Sequence, residues 1–190
     1  STKDMNVLVL ATPEVMRGDV DEMISKLNSV HRVVSVEVKP YSPNQANQHA
    51  SCHLDYEEFV KRWISSPVKK NFAFTNEREI KSAIAKTRNA FSDDHLYITP
   101  SGEFAVLDFD LNDNEFFKPV VDFSEYSKWC NKEKTSVKAN TYCSQCEYVG
   151  SCLSEHLRIV QDVSKSCNGY YNLIKWYDNG RVENTSTHLS

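Results

Sequence analysis

Cysteine spacing constrains this chain more than any other feature. Cys143-Ser-Gln-Cys146-Glu-Tyr-Val-Gly-Ser-Cys152 is followed by Cys167-Asn168-Gly169, so four of the six cysteines form a C-x2-C-x5-C-x14-C block. A Cys-x-x-Cys step lets two thiolates grip one metal from a single tight turn, and two more complete a tetrahedral or cubane set. The spacing predicts a metal centre on Cys143, Cys146, Cys152 and Cys167, with the remainder as scaffold. Structural zinc and an iron–sulfur cluster both use four cysteines. Zinc ribbons usually join two Cys-x-x-Cys knuckles. One knuckle with two single, widely spaced ligands is closer to cluster ligation, but spacing leaves both open.

Six cysteines could also make three disulfides. That requires an oxidising compartment, and Ser1-Thr-Lys-Asp-Met5 shows no basic stretch leading into an apolar one. The expectation is metal-bound thiolates in a reducing cytoplasm. A formal charge of −4 over 190 residues gives no general attraction to nucleic acid or anionic lipid. No apolar run approaches the roughly 20 residues of a membrane span.

Along the chain, Asn6-Val-Leu-Val-Leu10 reads as a buried strand. Val20, Met23, Ile24 and Leu27 recur at helical spacing after a Gly18-Asp19 start signal. Arg32-Val-Val-Ser-Val-Glu-Val38 reads as a second strand. Together they predict a βαβ unit with a parallel sheet and a right-handed crossover. Ligands gather at the C-terminal ends of such strands, here Thr12-Pro13 and Lys39-Pro-Tyr-Ser42. One such unit cannot close a barrel. With no initiator methionine and a strand so near the start, the expectation is that the amino end of a larger domain is missing.

A proline-marked loop covers residues 40–48. Helical patterns follow over 55–64 (Tyr56, Phe59, Val60, Trp63 and Ile64 on one face) and from Glu77 to about Ala90. His95-Leu-Tyr-Ile-Thr99, a Pro-Ser-Gly turn and Glu103-Phe-Ala-Val-Leu107 read as a β-hairpin, left by the acidic run 108–115. A short helix is expected over 123–129. Leu153, Leu157 and Val160 predict a helix starting at the third thiolate. A last helix begins at Cys167 with Leu173, Ile174 and Tyr177 inward, and the polar tail from Asp178 is expected to fray.

The cysteine block, read as C-x2-C-x5-C-x3-His156-x10-Cys167, resembles the carboxy-terminal block of radical SAM enzymes with a SPASM extension. In that family the first three cysteines and the distal one hold an outer auxiliary [4Fe–4S] cluster, which implies the same role for Cys143, Cys146, Cys152 and Cys167. The family's other cysteine of the block, serving an inner cluster, is His156 here. Ile98-Thr-Pro-Ser-Gly102-Glu-Phe-Ala-Val-Leu107 resembles the hairpin of the inner site, with Leu107 in the cysteine's place, and Ala90-Phe-Ser-Asp-Asp94 stands where a further cysteine would be. The inner cluster looks lost. The resemblance implies an α/β fold in which the remnant of a partial (β/α)6 barrel (1–75) precedes a SPASM/twitch-like domain with a β-hairpin and a helical cysteine-rich extension (76–190). It implies oxidation or cross-linking of a peptide or protein substrate, with a reductant protein as partner. The family's Cys-x3-Cys-x2-Cys loop is absent from this sequence. S-adenosylmethionine and a second [4Fe–4S] cluster are therefore expected only with an upstream region carrying that loop. The alternative is a non-catalytic four-cysteine zinc module for protein interaction.

Leu107-Asp108-Phe109 resembles the Cys-Asp-Phe of anaerobic sulfatase-maturating enzymes, which would make Asp108 a catalytic base. The plainer reading is a solvated acid beside Asp110, Asp113 and Glu115. That run lacks the glycine and terminal glutamate of an EF-hand loop. His156 reads as a helix-surface residue before a substitute ligand. Cys52 and His53, adjacent in sequence, point apart and make a poor dyad; Cys52 and Cys130 read as plain thiols. Tyr170, Tyr171, Trp176 and Tyr177 are expected to pack over the cluster. Lys132, Lys134 and Lys138 are expected in a solvated loop.

Overall fold

The computed structural model describes residues 3–40, 53–91, 93, 95–109, 115–139, 141–152 and 170–186. The chain is mixed α/β and divides into two units, Ser1–Lys81 and Ser82–Ser190. The expected join at residue 75 is the first residue of the helix in which this division falls.

The first unit contains β1 (Met5–Ala11), α1 (Pro13–Arg17), α2 (Val20–Ser29), β2 (Val33–Pro40), α3 (His53–Ser65), β3 (Ala73–Phe74) and the start of α4 (Thr75–Ile84). Its sheet runs β1-β2-β3, parallel throughout. The predicted strand–helix–strand unit is present as β1, α2 and β2. Asp19 starts α2 as expected, its Oδ1 accepting from the amides of Asp21 (2.8 Å) and Glu22 (3.1 Å). Ile24, Val36, Phe59, Val60 and Trp63 form the fully buried core. Trp63 stacks on Phe74 at 5.4 Å.

The expectation of a buried β1 is corrected. Leu8 and Leu10 are exposed, alongside Glu37 and Lys39 of β2. Period two puts Val7 and Val9 with Val36 and Val38 on the opposite face, so the apolar run conceals a one-sided edge strand. No barrel closes among the described residues.

β3 pairs only with Ser35 and Val36. Beyond it, a side chain continues the ladder. Asn76 Oδ1 accepts from the Val38 amide at 2.8 Å, and its Nδ2 donates to the Val38 carbonyl at 2.7 Å. The Tyr56 hydroxyl donates to the same carbonyl at 2.8 Å. All three residues are buried, so this amide satisfies main-chain groups that a two-residue strand leaves over.

α4 ends at Ile84, six residues before the predicted Ala90. Lys86 takes a positive φ of 55°; its amide donates to the Ala83 carbonyl and that of Thr87 to the Ser82 carbonyl. This is a Schellman ending with a lysine in the left-handed position, where sequence reading expects glycine.

The second unit carries an antiparallel sheet, β4 (Tyr97–Ile98), β5 (Phe104–Phe109) and β6 (Glu115–Pro119), in that order. The hairpin β4–β5 is the predicted one, turned by Gly102 at φ 84°. The acidic run expected over 108–115 ends on Glu115, the first residue of β6, a strand that the sequence reading did not expect and that completes the sheet. α5 spans Phe123–Ala139 rather than 123–129. Lys132, Lys134 and Lys138 therefore lie on a helix, not in a loop. Val137 is the one apolar residue in its second half apart from Ala139, so no periodicity betrays it. Val106 and Val120 pack with Trp129 and Cys130 where sheet meets helix. α6 runs from Tyr171 to Ser186. It begins later than Cys167 and continues as far as Ser186, into the tail expected to fray, which contains no proline to stop it.

Candidate metal centre

The cysteine segment follows α5 directly. Cys143–Gln145 forms a single 3-10 turn. Cys143 is buried against Ala90 and Val137, with Phe91 and Val149 packed on the same cluster. The Cys146 amide donates to the Cys143 carbonyl at 3.2 Å, closing the knuckle. The Val149 amide then donates to the Cys146 carbonyl at 3.2 Å, and the Cys152 amide to the Tyr148 carbonyl at 2.8 Å. Three cysteines are thus carried on consecutive tight turns. Gly150, at φ 84°, lets the chain reverse, and its carbonyl accepts from the Ala90 amide at 2.9 Å.

Cys146 Sγ accepts a hydrogen bond from the Tyr148 amide at 3.4 Å. An N–H aimed at sulfur orients the side chain and suits a metal-bound thiolate, whose charge it offsets. Cys143 and Cys152 are buried and Cys146 half-buried, and all three are thiols. Cys130, also a thiol, stands apart in the sheet–helix core, where burial pushes its pKa up.

A shell of aromatic and charged groups joins this segment to α6. Tyr148 is buried, and its ring lies 5.9 Å from that of Tyr171. Lys175 Nζ sits 5.5 Å from the Tyr148 ring centroid and 5.8 Å from that of Tyr171. It pairs with Glu147 at 2.5 Å, and this hydrogen bond is the main cause that raises the lysine's pKa. Burial, then the Glu147 charge, raises that of the Tyr148 hydroxyl. Tyr170, Leu173 and Ile174 are buried beside them in sequence. Of the four aromatics expected over a cluster, Tyr171 lies against Tyr148 of the cysteine segment, Tyr170 is buried, and Trp176 and Tyr177 face each other at 6.4 Å. Glu147, Tyr148 and Lys175 were not singled out from the sequence; the position two residues after a knuckle cysteine was the available signal.

Cys167 and His156 lie outside the described residues, as does the helix expected from Leu153. Among the described residues no three His, Cys, Asp or Glu side chains form a group that could hold a metal ion. The knuckle turn and its N–H···S bond fit a thiolate ligand set, while the three described sulfurs do not by themselves make a closed site.

Asp108 is half-exposed on β5, one residue before the strand's end and opposite Phe116. Leu107 faces the other way, opposite Phe117. Asp110, Asp113 and Cys52 lie outside the described residues, whereas His53 opens α3. At the end of β1, a cleft of about 390 Å³ includes Pro13, Arg17, Glu58 and Arg62 in its lining. Arg17, Glu58 and Arg62 are engaged locally. Arg62 donates to the carbonyls of Met16 and Gly18, Arg17 pairs with Glu14, and Glu58 with Lys61.

Among the described residues no helix is long and apolar enough to cross a membrane. Comparison with protein-family models, with curated proteins and with solved structures gives no match to the chain.

Proposed function

We propose that the second unit binds one metal centre through Cys143, Cys146, Cys152 and Cys167. We further propose that this centre is an auxiliary [4Fe–4S] cluster in the carboxy-terminal part of a radical SAM/SPASM-type enzyme that modifies a peptide or protein. The observation that carries the reading is the Tyr148 amide directed at Cys146 Sγ within a knuckle whose cysteines are thiols. A metal-binding segment commonly gathers its ligands only as the ion binds, so sulfurs not yet assembled are compatible with it. In this reading the first unit is the end of a partial (β/α)6 barrel, a reductant protein is the electron partner, and a reducing cytoplasm keeps the thiols available.

When bound, a cluster of this kind passes electrons one at a time. The chain's own residues supply its ligands, direct the Tyr148 amide at one sulfur and limit water around the knuckle through Tyr148 and Tyr170. Asp108, half-exposed at a strand end, is the proposed base toward substrate. The sequence has no Cys-x3-Cys-x2-Cys triad, so cleavage of S-adenosylmethionine is not proposed for these residues alone.

The second reading, a zinc-binding interaction module, draws on the same knuckle turn, because an N–H···S bond serves zinc thiolates equally well. Anaerobic purification separates the two. Brown protein with a broad visible absorption shoulder, containing iron and sulfide, supports the cluster. Colourless protein with one zinc per chain supports the interaction module and removes the enzymatic reading.

A further inference from the structure

The antiparallel sheet of the second unit has one uncovered end. Ile98 and Phe104 are cross-strand partners at the Gly102 turn. They share the sheet face on which Val106 packs against Trp129 and Cys130 of α5. The Val120 amide donates to the Phe104 carbonyl at 2.9 Å, which brings Val121 and the Phe123 start of α5 to the same end. The Tyr126 hydroxyl donates to the His95 carbonyl at 3.3 Å, and the Tyr126 ring lies 5.9 Å from that of Phe123. The first turn of α5 is thus held beside the strands. Ile98 is 70% exposed, Phe104 54%, Val121 90% and Phe123 79%. Scattered singly, such residues are ordinary; four at one end of a small sheet mark an interaction surface. The turn beneath them is already fixed. The Gly102 amide donates to the Thr99 carbonyl at 2.8 Å and the Glu103 amide to the Thr99 hydroxyl at 3.1 Å, so docking there carries little ordering cost.

The charged residues adjoining these side chains in sequence are acids. Glu103 Oε2 accepts from the Ser101 hydroxyl, Asp122 Oδ1 from the Glu125 amide and Glu125 Oε2 from the Val121 amide, each at 2.8 Å. Each carboxylate spends one oxygen on local structure, and among the described residues none of the three pairs with a lysine or arginine. Lys118 shares the sheet face but stands opposite Val106, farther along β5 from the turn than Phe104. The start of α5 adds about half a positive charge, too little to offset three carboxylates. We propose that this end of the second unit docks a peptide segment of a partner protein that carries bulky apolar side chains flanked by lysine or arginine. Its apolar side chains cover Ile98, Phe104 and Phe123, and its cations meet Glu103, Asp122 and Glu125. An anionic lipid surface is repelled by the same carboxylates, and a second copy of the patch brings like charges together. The surface is independent of the proposed metal centre and stands whichever metal, if any, the cysteines hold.

The test uses the full chain and two labelled synthetic peptides, followed by fluorescence anisotropy. One peptide sets phenylalanine and leucine among lysines; the other replaces each lysine with glutamate. Wild type is expected to bind the basic peptide at least about 10-fold more tightly than the acidic one, with the difference shrinking as salt is raised. Phe123→Ser and Ile98→Ser are each expected to weaken binding about 10-fold or more. Glu103→Gln is expected to weaken it about 3-fold and to flatten the salt dependence. All three positions are exposed, and far-UV circular dichroism checks that the variants fold. Should Phe123→Ser fail to fold, Ile98→Ser decides. Equal affinity for the two peptides, no saturable binding by wild type, or unchanged binding in the folded serine variants overturns the proposal. So does a wild-type dimer in sedimentation velocity that Phe123→Ser abolishes, or binding to phosphatidylserine vesicles in place of the basic peptide. Metal content enters none of these readouts, so failure of the metal reading leaves the outcome unchanged.

Discussion

The main-chain amide of Tyr148 donates to Cys146 Sγ at 3.4 Å. The bond is made within the segment by a residue whose ring is itself buried against Tyr171. Packing of the aromatic shell and aim of the sulfur are therefore parts of one local structure. A thiol with no metal to hold gains little from such an arrangement, because S–H is a weak participant in hydrogen bonding. A thiolate ligand gains both charge compensation and orientation.

Five of the six cysteines are expected to separate into two classes. Cys143→Ser, Cys146→Ser, Cys152→Ser and Cys167→Ser should each abolish stoichiometric metal, measured by elemental analysis of the reconstituted full chain. Cys130→Ala should keep the metal and cost about 1 kcal/mol of stability from lost packing against Trp129 and Val106. Burial pushes the Cys130 thiol up, so iodoacetamide should label it slowly at neutral pH in the folded protein.

Asn76 is expected to be critical to the first unit. Asn76→Ala strips the Val38 amide of its buried side-chain partner and leaves the Val38 carbonyl to the Tyr56 hydroxyl. A buried donor left unpaired costs about 1–3 kcal/mol, and a fall of that size should appear in urea unfolding. Asn76→Asp keeps the acceptor but not the donor and is expected to be similarly damaging.

Gly150 and Gly102 share a φ of 84° but differ in surroundings. A Cβ at Gly102 meets open space, while one at Gly150 comes to 3.4 Å from Phe91 Cε2. Alanine at either should cost about 1–2 kcal/mol from the backbone alone. Gly150→Ala should in addition weaken metal binding, because its carbonyl ties the cysteine turn to Ala90. Gly102→Ala should not.

Asp93 and Lys134 give the second unit a pH signature. The Lys134 hydrogen bond, then that of Asn89, lowers the Asp93 pKa, and Asp93 in turn raises that of Lys134. The carboxylate's contribution is present above its unfolded value, about 3.9, and is lost as pH falls through the lower folded value. The lysine's contribution is present below about 10.4 and is lost as pH rises through the higher folded value. Asp93→Asn should flatten both limbs of the stability–pH curve, by no more than about 1 kcal/mol for so accessible a pair.

The sequence made the regular patterns legible. Asp19 announced α2, alternation in 103–107 gave β5, and Val20 with Ile24 marked a buried helix face. Elements without apolar periodicity were missed. The second half of α5 contributes only Val137 to a core, and β6 begins in residues that read as an acidic exit. The end of α4 was hidden because Lys86 adopts the left-handed cap that glycine would have advertised. In the candidate centre, spacing pointed to the cysteines, but a backbone amide has no letter of its own. Tyr148 could be recognised only once the turn was seen, and Lys175 only once α6 was placed beside it.

The central claim is most directly tested by counting metal and sulfide in the full chain purified without oxygen, beside Cys146→Ser prepared identically. The account predicts about four iron and four sulfide per wild-type chain and a large loss of both in the variant. Wild-type protein with neither iron nor zinc after reconstitution, or a variant that keeps its full complement, would contradict it.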